Sequence, residues 1–353
     1  MPHSNVSRFF VTLSFALAVT FTNHSQAQSC DPVELAQLLA NDGNSLDSFG
    51  FSVSISGDTA IIGSRLAFID NVQLGAAYIF TKINGTWIQQ AKLVASDGLD
   101  GDQFGNSVSI SGNTVIVGAN FHDPSGAAYI FTESDGIWTQ QAKLAPQNGN
   151  FAARFGESVS ISNDVLIIGS YQDNENGTFA GAAYIYSRIN NAWTQTTKLT
   201  PKDGSESDRF GWSVCIANDT AIIGATRSSS KKINAGAAYI YGYSKNHWIQ
   251  KAKLHPNDGQ PFDHFGRAVS LNQNTVVISS QNNHDAIENS GSVYIFNHTK
   301  NLWIQEEKLI PQTPLTGDEF GRSVAIDQGI VIVGALPINT DTSGTSSASA
   351  YAF

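Results

Sequence analysis

Hydrophobic and polar residues follow one recurring order along this chain, clearest between Phe104 and Leu144. First, Val108 and Ile110 alternate with Ser107 and Ser109, the period of two expected of a half-buried strand. TVIVGA, residues 114–119, is a continuous β-branched run suited to a strand buried on both faces. GAAYIF and WTQQAKL supply a third and a fourth strand. The last puts Trp138, Gln140 and Ala142 on one side and Thr139, Gln141 and Lys143 on the other. Ser-Gly-Asn, a longer polar loop and Ser-Asp-Gly separate the four, all rich in turn residues.

The order repeats. Its copies start at Phe49, Phe104, Phe155, Phe210, Phe265 and Phe320, each followed by Gly, at intervals of 55, 51, 55, 55 and 55 residues. A fixed period of this length is the mark of a repeat architecture. Four short antiparallel strands per copy, set around an axis, make a propeller blade, whereas a strand solenoid uses shorter repeats and distinct end caps. The fold class read from the pattern is all-β, a six-bladed β-propeller of four-stranded antiparallel blades.

The two ends of the repeat array complement each other. DPVELAQLLANDG, residues 31–43, overlays WIQQAKLVASDG one period later, so that Leu38, Ala40 and Asp42 fall on Leu93, Ala95 and Asp97. The array thus begins with a fourth strand and stops in a third, at Tyr351-Ala352-Phe353. Residues 33–39 are therefore expected to complete the sixth blade and close the ring, covering sheet edges that would otherwise lie open.

Ahead of the array, residues 1–27 read as a secretory signal peptide, with Arg8, an apolar core from Phe9 to Phe21, and Ser25-Gln26-Ala27 at the cleavage site. That core falls short of the ~20 apolar residues a membrane span needs, so membrane insertion is not expected. Ala27-Gln28-Ser29 is a poor context for lipid anchoring at Cys30. The domain plan is residues 1–27 as signal and 28–353 as one propeller, located outside the cytoplasm: secreted, periplasmic or at the cell surface. A net charge of −10 argues against nucleic acid as a partner. Cys215 stands in a column otherwise filled by Ser and reads as a small buried filler, with no disulfide to Cys30 expected.

Most repeated residues have structural jobs. The Phe of each copy and Trp87, Trp138, Trp193, Trp248 and Trp303 are expected as apolar anchors between blades. The inner Ser column keeps converging strands small. Asp47, Asp102, Asp208, Asp263 and Asp318, two residues before Phe, are expected to cap loops.

Phe-Gly, an apolar strand, then Gly-Ala-Asn or Gly-Ala-Thr resembles the FG-GAP repeats of integrin alpha-subunit propellers and their secreted bacterial relatives. The resemblance covers residues 31–353. It implies an adhesion or interaction domain, and fold alone does not fix function. One departure matters: FG-GAP repeats of the integrin type carry a calcium loop between the first two strands. Here that connection is Ser56-Gly57-Asp58 or its equivalent, too short to bring six to eight oxygens to calcium. No metal and no cofactor is expected. Asp173 and Glu175 in YQDNENG read as a solvated acidic loop, and His122, His247, His255, His264, His284 and His298 as scattered surface residues.

No nucleophile elbow, phosphate loop or zinc signature occurs. Long irregular loops join second to third strands and share a face with the start of each first strand, the usual place for recognition on a rigid scaffold. The position after Phe-Gly, at the channel mouth on that face, breaks the repeat while its neighbours keep it. It holds Phe51, Asn106, Glu157, Trp212, Arg267 and Arg322. Glu157, Trp212, Arg267 and Arg322 are the candidate ligand-binding residues, with no catalytic residue assigned. Trp212 would offer a flat face to a sugar ring, with Arg267 stacking on it or gripping a carboxylate. Two functions compete: a non-enzymatic module binding an extracellular protein or glycan, and a hydrolase or lyase acting on an extracellular polysaccharide. Carboxylates paired across the mouth would favour the second.

Overall fold

The alternating SVSIS segments become the innermost strands, and the β-branched runs become second strands buried along their whole length. In the second blade the strands are Ser107–Ser111, Thr114–Ala119, Ala127–Ser134 and Ile137–Leu144. They are antiparallel and lie in sequence order. Five sheets have this four-stranded plan, and a sixth holds Ser323–Asp327, Ile330–Ala335 and Ser349–Ala352. The fold is the all-β, six-bladed propeller. The structure, a computed structural model, describes residues 36–147, 151–284, 287–314, 316–336 and 349–353. Residues 38–353 form one compact unit; the segment read as a signal peptide and Cys30 lie outside the described residues. First and second strands join by two-residue turns, Ser111 pairing with Thr114 across Gly112-Asn113. Among the described residues no helix is long and apolar enough to cross a membrane.

Blades join through a small repeated set of contacts. Phe104, Phe155, Phe210, Phe265 and Phe320 have no accessible surface. Each meets the Tyr of its own third strand edge-on, as Phe104 meets Tyr129 at 5.5 Å, and packs onto the blade before it. Burying each such ring contributes about 2–3 kcal/mol. The Ser column does more than save space: Ile110, Ile161, Ile216 and Ile326 donate backbone N–H to Ser54, Ser109, Ser160 and Ser270 of the preceding blade at 3.1–3.2 Å. Cys215 accepts from Leu271 in the same way, and its burial raises the thiol pKa.

Several expectations are corrected. The Trp residues are only half-buried at the rim, and the deep anchors beside Phe are Tyr78, Tyr129, Tyr184, Tyr239 and Tyr294. A polar tip hides in GAAYIF, which is why the pattern did not mark Tyr as central. The fourth strands carry a bulge, so Gln141 has no partner residue opposite it. Asp173 is not solvated. It is 1% exposed and accepts from Tyr184 Oη at 2.6 Å and from Lys198. His122 is likewise buried, its Nδ1 2.7 Å from Asp102 Oδ2. The capping carboxylates act as expected: Asp102 Oδ2 accepts from Leu99 N at 2.7 Å and Asp208 Oδ2 from Ser205 N at 3.0 Å.

One junction differs from the rest. Val53 and Ile55 on the first blade are 67% and 62% exposed, against 8% and 6% for their counterparts Val108 and Ile110. On the sixth blade Ile332 is 42% exposed, while Ile61, Ile116, Ile167 and Ile222 in its column have no accessible surface. Ala325 stands where the ladder needs a hydroxyl. Of the expected closing strand, residues 33–35 lie outside the described residues, and 36–39 carry no strand assignment. The residues that follow are nevertheless seated as after a fourth strand. Leu38 and Ala40 pack on Ile62, Tyr78 and Phe80, as Leu93 and Ala95 pack on Val117, Tyr129 and Phe131. Asp42 accepts from Tyr78 Oη at 3.0 Å and from Lys92, as Asp97 does from Tyr129 and Lys143. In a ring of six copies the blade before the first is the sixth, so closure by residues 33–39 remains our proposal. Deleting residues 31–36 spares the Leu38 and Asp42 contacts and should lower the melting temperature by several degrees in calorimetry. An unchanged melting temperature would contradict closure.

Candidate functional site

The mouth is built by a turn. In each copy the residue before Phe, then Phe, Gly and the next residue make a turn, closed in five of the six by a bond such as Asn106 N to Gln103 O at 3.0 Å. The third-position Gly residues have φ of 87° to 93°, as a type II turn requires. Gly105 also has no room for a side chain, because a Cβ there would sit 2.3 Å from Ala76 O of the preceding blade. The residue before each Phe has positive φ as well, 46° to 61° from Ser48 to Glu319, although none is Gly. Such conformations cost on the order of 1 kcal/mol or more each and persist where packing dictates them. The turn therefore sets two side chains per blade beside the start of the long loop.

What collects there is arginine. The chain has eight arginines, and six of them meet at the mouth: Arg65, Arg154, Arg209, Arg227, Arg267 and Arg322. Four are laid on aromatic rings. The guanidinium carbon of Arg65 is 3.6 Å from the centroid of Phe51, Arg154 3.5 Å from Phe121, Arg267 5.0 Å from Trp212, and Arg209 5.3 Å from Trp212. A cavity of about 290 Å³ opens between the fourth and fifth blades, lined by Arg209, Trp212, Arg227, His264, Arg267 and Gln281 among others. Glu157 Oε2 accepts from Asn120 Nδ2 at 2.7 Å, and Glu319 pairs with Arg322. Among the described residues no group of His, Cys, Asp and Glu is placed to hold a metal ion.

A family model for the FG-GAP repeat matches residues 32–80, 87–131, 138–186, 193–241, 248–296 and 303–353. The chain belongs to the FG-GAP repeat family. The matched units run from a fourth strand through the next three, and the first begins at Pro32, one residue before the segment read as the closing strand. A search of curated proteins returned no match.

Of the residues singled out in this FG-GAP propeller, Arg267 lies within electrostatic reach of both Glu157 and Arg322, and Trp212 stacks against Arg267. Trp212 does not offer an open face. Tyr171 lies 4.6 Å away centroid to centroid, and Arg209 and Arg267 cover the ring. Its role is to hold guanidinium groups in place. Missing from the sequence reading was the column before Phe, which contributes Arg154, Arg209, His264 and Glu319. Those positions vary as freely as the ones after Gly and could have been found by the same logic.

Burial, and then the crowded positive charge, shift titration at and near the mouth. Desolvation first, and then Arg322, bring Arg267 down to about 10. Burial pushes the Glu157 carboxyl above its ordinary range, against the pull of Asn120 and of Arg267, Arg154 and Arg65. His264 falls to about 4 by desolvation and then by Arg227, Arg209 and Arg267. His255 falls to about 4 by desolvation and then by Lys253. An unfolded imidazole takes its proton near pH 6.5, so between that value and about 4 the unfolded chain binds more protons. The histidine contribution is full above the window and is lost as pH falls through it. Replacing both (His255→Asn with His264→Asn) should flatten the fall in melting temperature on acidification relative to the parent. Parallel profiles would contradict the two assignments.

Proposed function

We propose that this chain is a secreted, non-enzymatic interaction module that binds an extracellular protein or glycan at the arginine-lined mouth, on the face of the long loops. One observation carries the reading: six of the eight arginines gather where the repeat imposes no structural residue, on a chain of net charge −10. Stacking four of them on aromatic rings holds the donors in fixed positions before any ligand arrives, which lowers the entropy lost on binding. The alternative of a polysaccharide hydrolase or lyase draws no comparable support, because Glu157 is held by Asn120 and Glu319 by Arg322. A hydrolytic pair needs one carboxyl free to donate and one free to accept or attack.

The test is a binding screen of proteins and glycans against the chain from residue 28 onward. Trp212→Ala with Arg267→Ala should reduce affinity for any ligand found by about tenfold or more, while the melting temperature moves by no more than a few degrees. Undiminished affinity in the folded double variant would shift attention to the loop tips. Calcium is not part of the proposal: melting curves in excess calcium and in chelator should overlay, and a clear upward shift with calcium would reveal a bound ion.

A further inference from the structure

Resting on that reading, we propose that the mouth takes an anionic polysaccharide, with acid groups held by the stacked arginines and hydroxyls held by the amide side chains between them. The positive charge is uncompensated. Six guanidinium groups face two carboxylates, each already engaged. Buried polar atoms without a protein partner then describe the ligand. Arg65 Nε, Arg154 Nε and Trp212 Nε1 are donors seeking acceptors, and a carboxylate or sulfate supplies acceptors. Gln103 Oε1, Asn120 Oδ1 and Gln281 Oε1 are acceptors seeking donors. The Asn120 orientation is fixed, because its Nδ2 already serves Glu157. A bare anion has no donor to give, and an acidic peptide side chain has none at its ionised end. A sugar acid carries both kinds of group within one ring. Leaving buried acceptors unmatched costs about 1–3 kcal/mol each, so a ligand with hydroxyls is favoured over one without.

The experiment titrates the chain from residue 28 onward with polygalacturonate, heparin, dextran and poly-L-glutamate, at low and at physiological salt. At least one of the two acidic glycans should bind, about tenfold or more tighter than dextran or poly-L-glutamate, and weaken as salt rises. Preference for polygalacturonate assigns carboxylate groups, preference for heparin sulfate groups. Arg154→Ala should lower that affinity by about tenfold or more and Gln281→Met by severalfold. Lys245→Gln with Lys300→Gln, in turns on the opposite face, should leave it unchanged. Dextran or poly-L-glutamate binding as tightly as the acidic glycans, or no binding by any of the four polymers, overturns the proposal. In that case a ligand lost with Trp212→Ala and Arg267→Ala would still uphold the mouth as a site. Acidic glycans that bind the Arg154 and Trp212/Arg267 variants as well as the parent would sink both.

Discussion

Everything in this propeller hangs on how a Phe-Gly turn seats against the blade before it. Phe104 N donates to Leu74 O at 3.0 Å, and Phe155, Phe210, Phe265 and Phe320 make the same bond to their predecessors at 2.8–3.0 Å. The ring of Phe fills the junction, while the Gly beside it passes so close to the neighbouring backbone that no side chain fits. Position and direction of each blade are fixed in one step. Aromatic packing supplies the free energy, and the hydrogen bonds supply the register. The same turn lifts the flanking residues into the mouth, so the feature that builds the ring also builds the site.

Much of this could be read before any coordinates. Period, strand order, buried second strands and loop-capping aspartates follow from local pattern, and the structure agrees on each. Less legible was anything that depends on a neighbouring blade. Tyr78 and its column looked like ordinary strand residues, yet the hydroxyls of Tyr78 and Tyr129 reach Asp42 and Asp97 across the junction. Where the fourth strand of the second blade is followed by Asn148 instead of Asp, Asp173 from a long loop takes up Tyr184 and Lys198. That substitution turned an apparently solvated loop into a buried ion pair, and no local rule could have revealed it. Trp212 was misjudged for the same reason, since Tyr171, Arg209 and Arg267 arrive from elsewhere to cover it.

The division of labour is sharp. Scaffold columns repeat almost without change, while the positions that flank Phe-Gly and open the long loops vary from copy to copy and hold most of the arginine in the protein. Burying and concentrating like charge is costly in itself: desolvation first, and then Arg322, lower the pKa of Arg267. A rigid ring tolerates that cost because the stability lies in the junctions. The arginines are left available for an incoming anion, with stacking in place of ion pairing to hold most of them.

The most direct test of this account is the 15N–1H spectrum of the arginine Nε groups and Trp212 Nε1 during titration with a short oligogalacturonate. Signals of Arg65, Arg154 and Trp212 should shift together and saturate, while Arg188, which stacks on Trp193 away from the mouth, stays fixed. Shifts spread evenly over Arg188 and the mouth residues, or confined to Arg188, would contradict an anion site at the mouth.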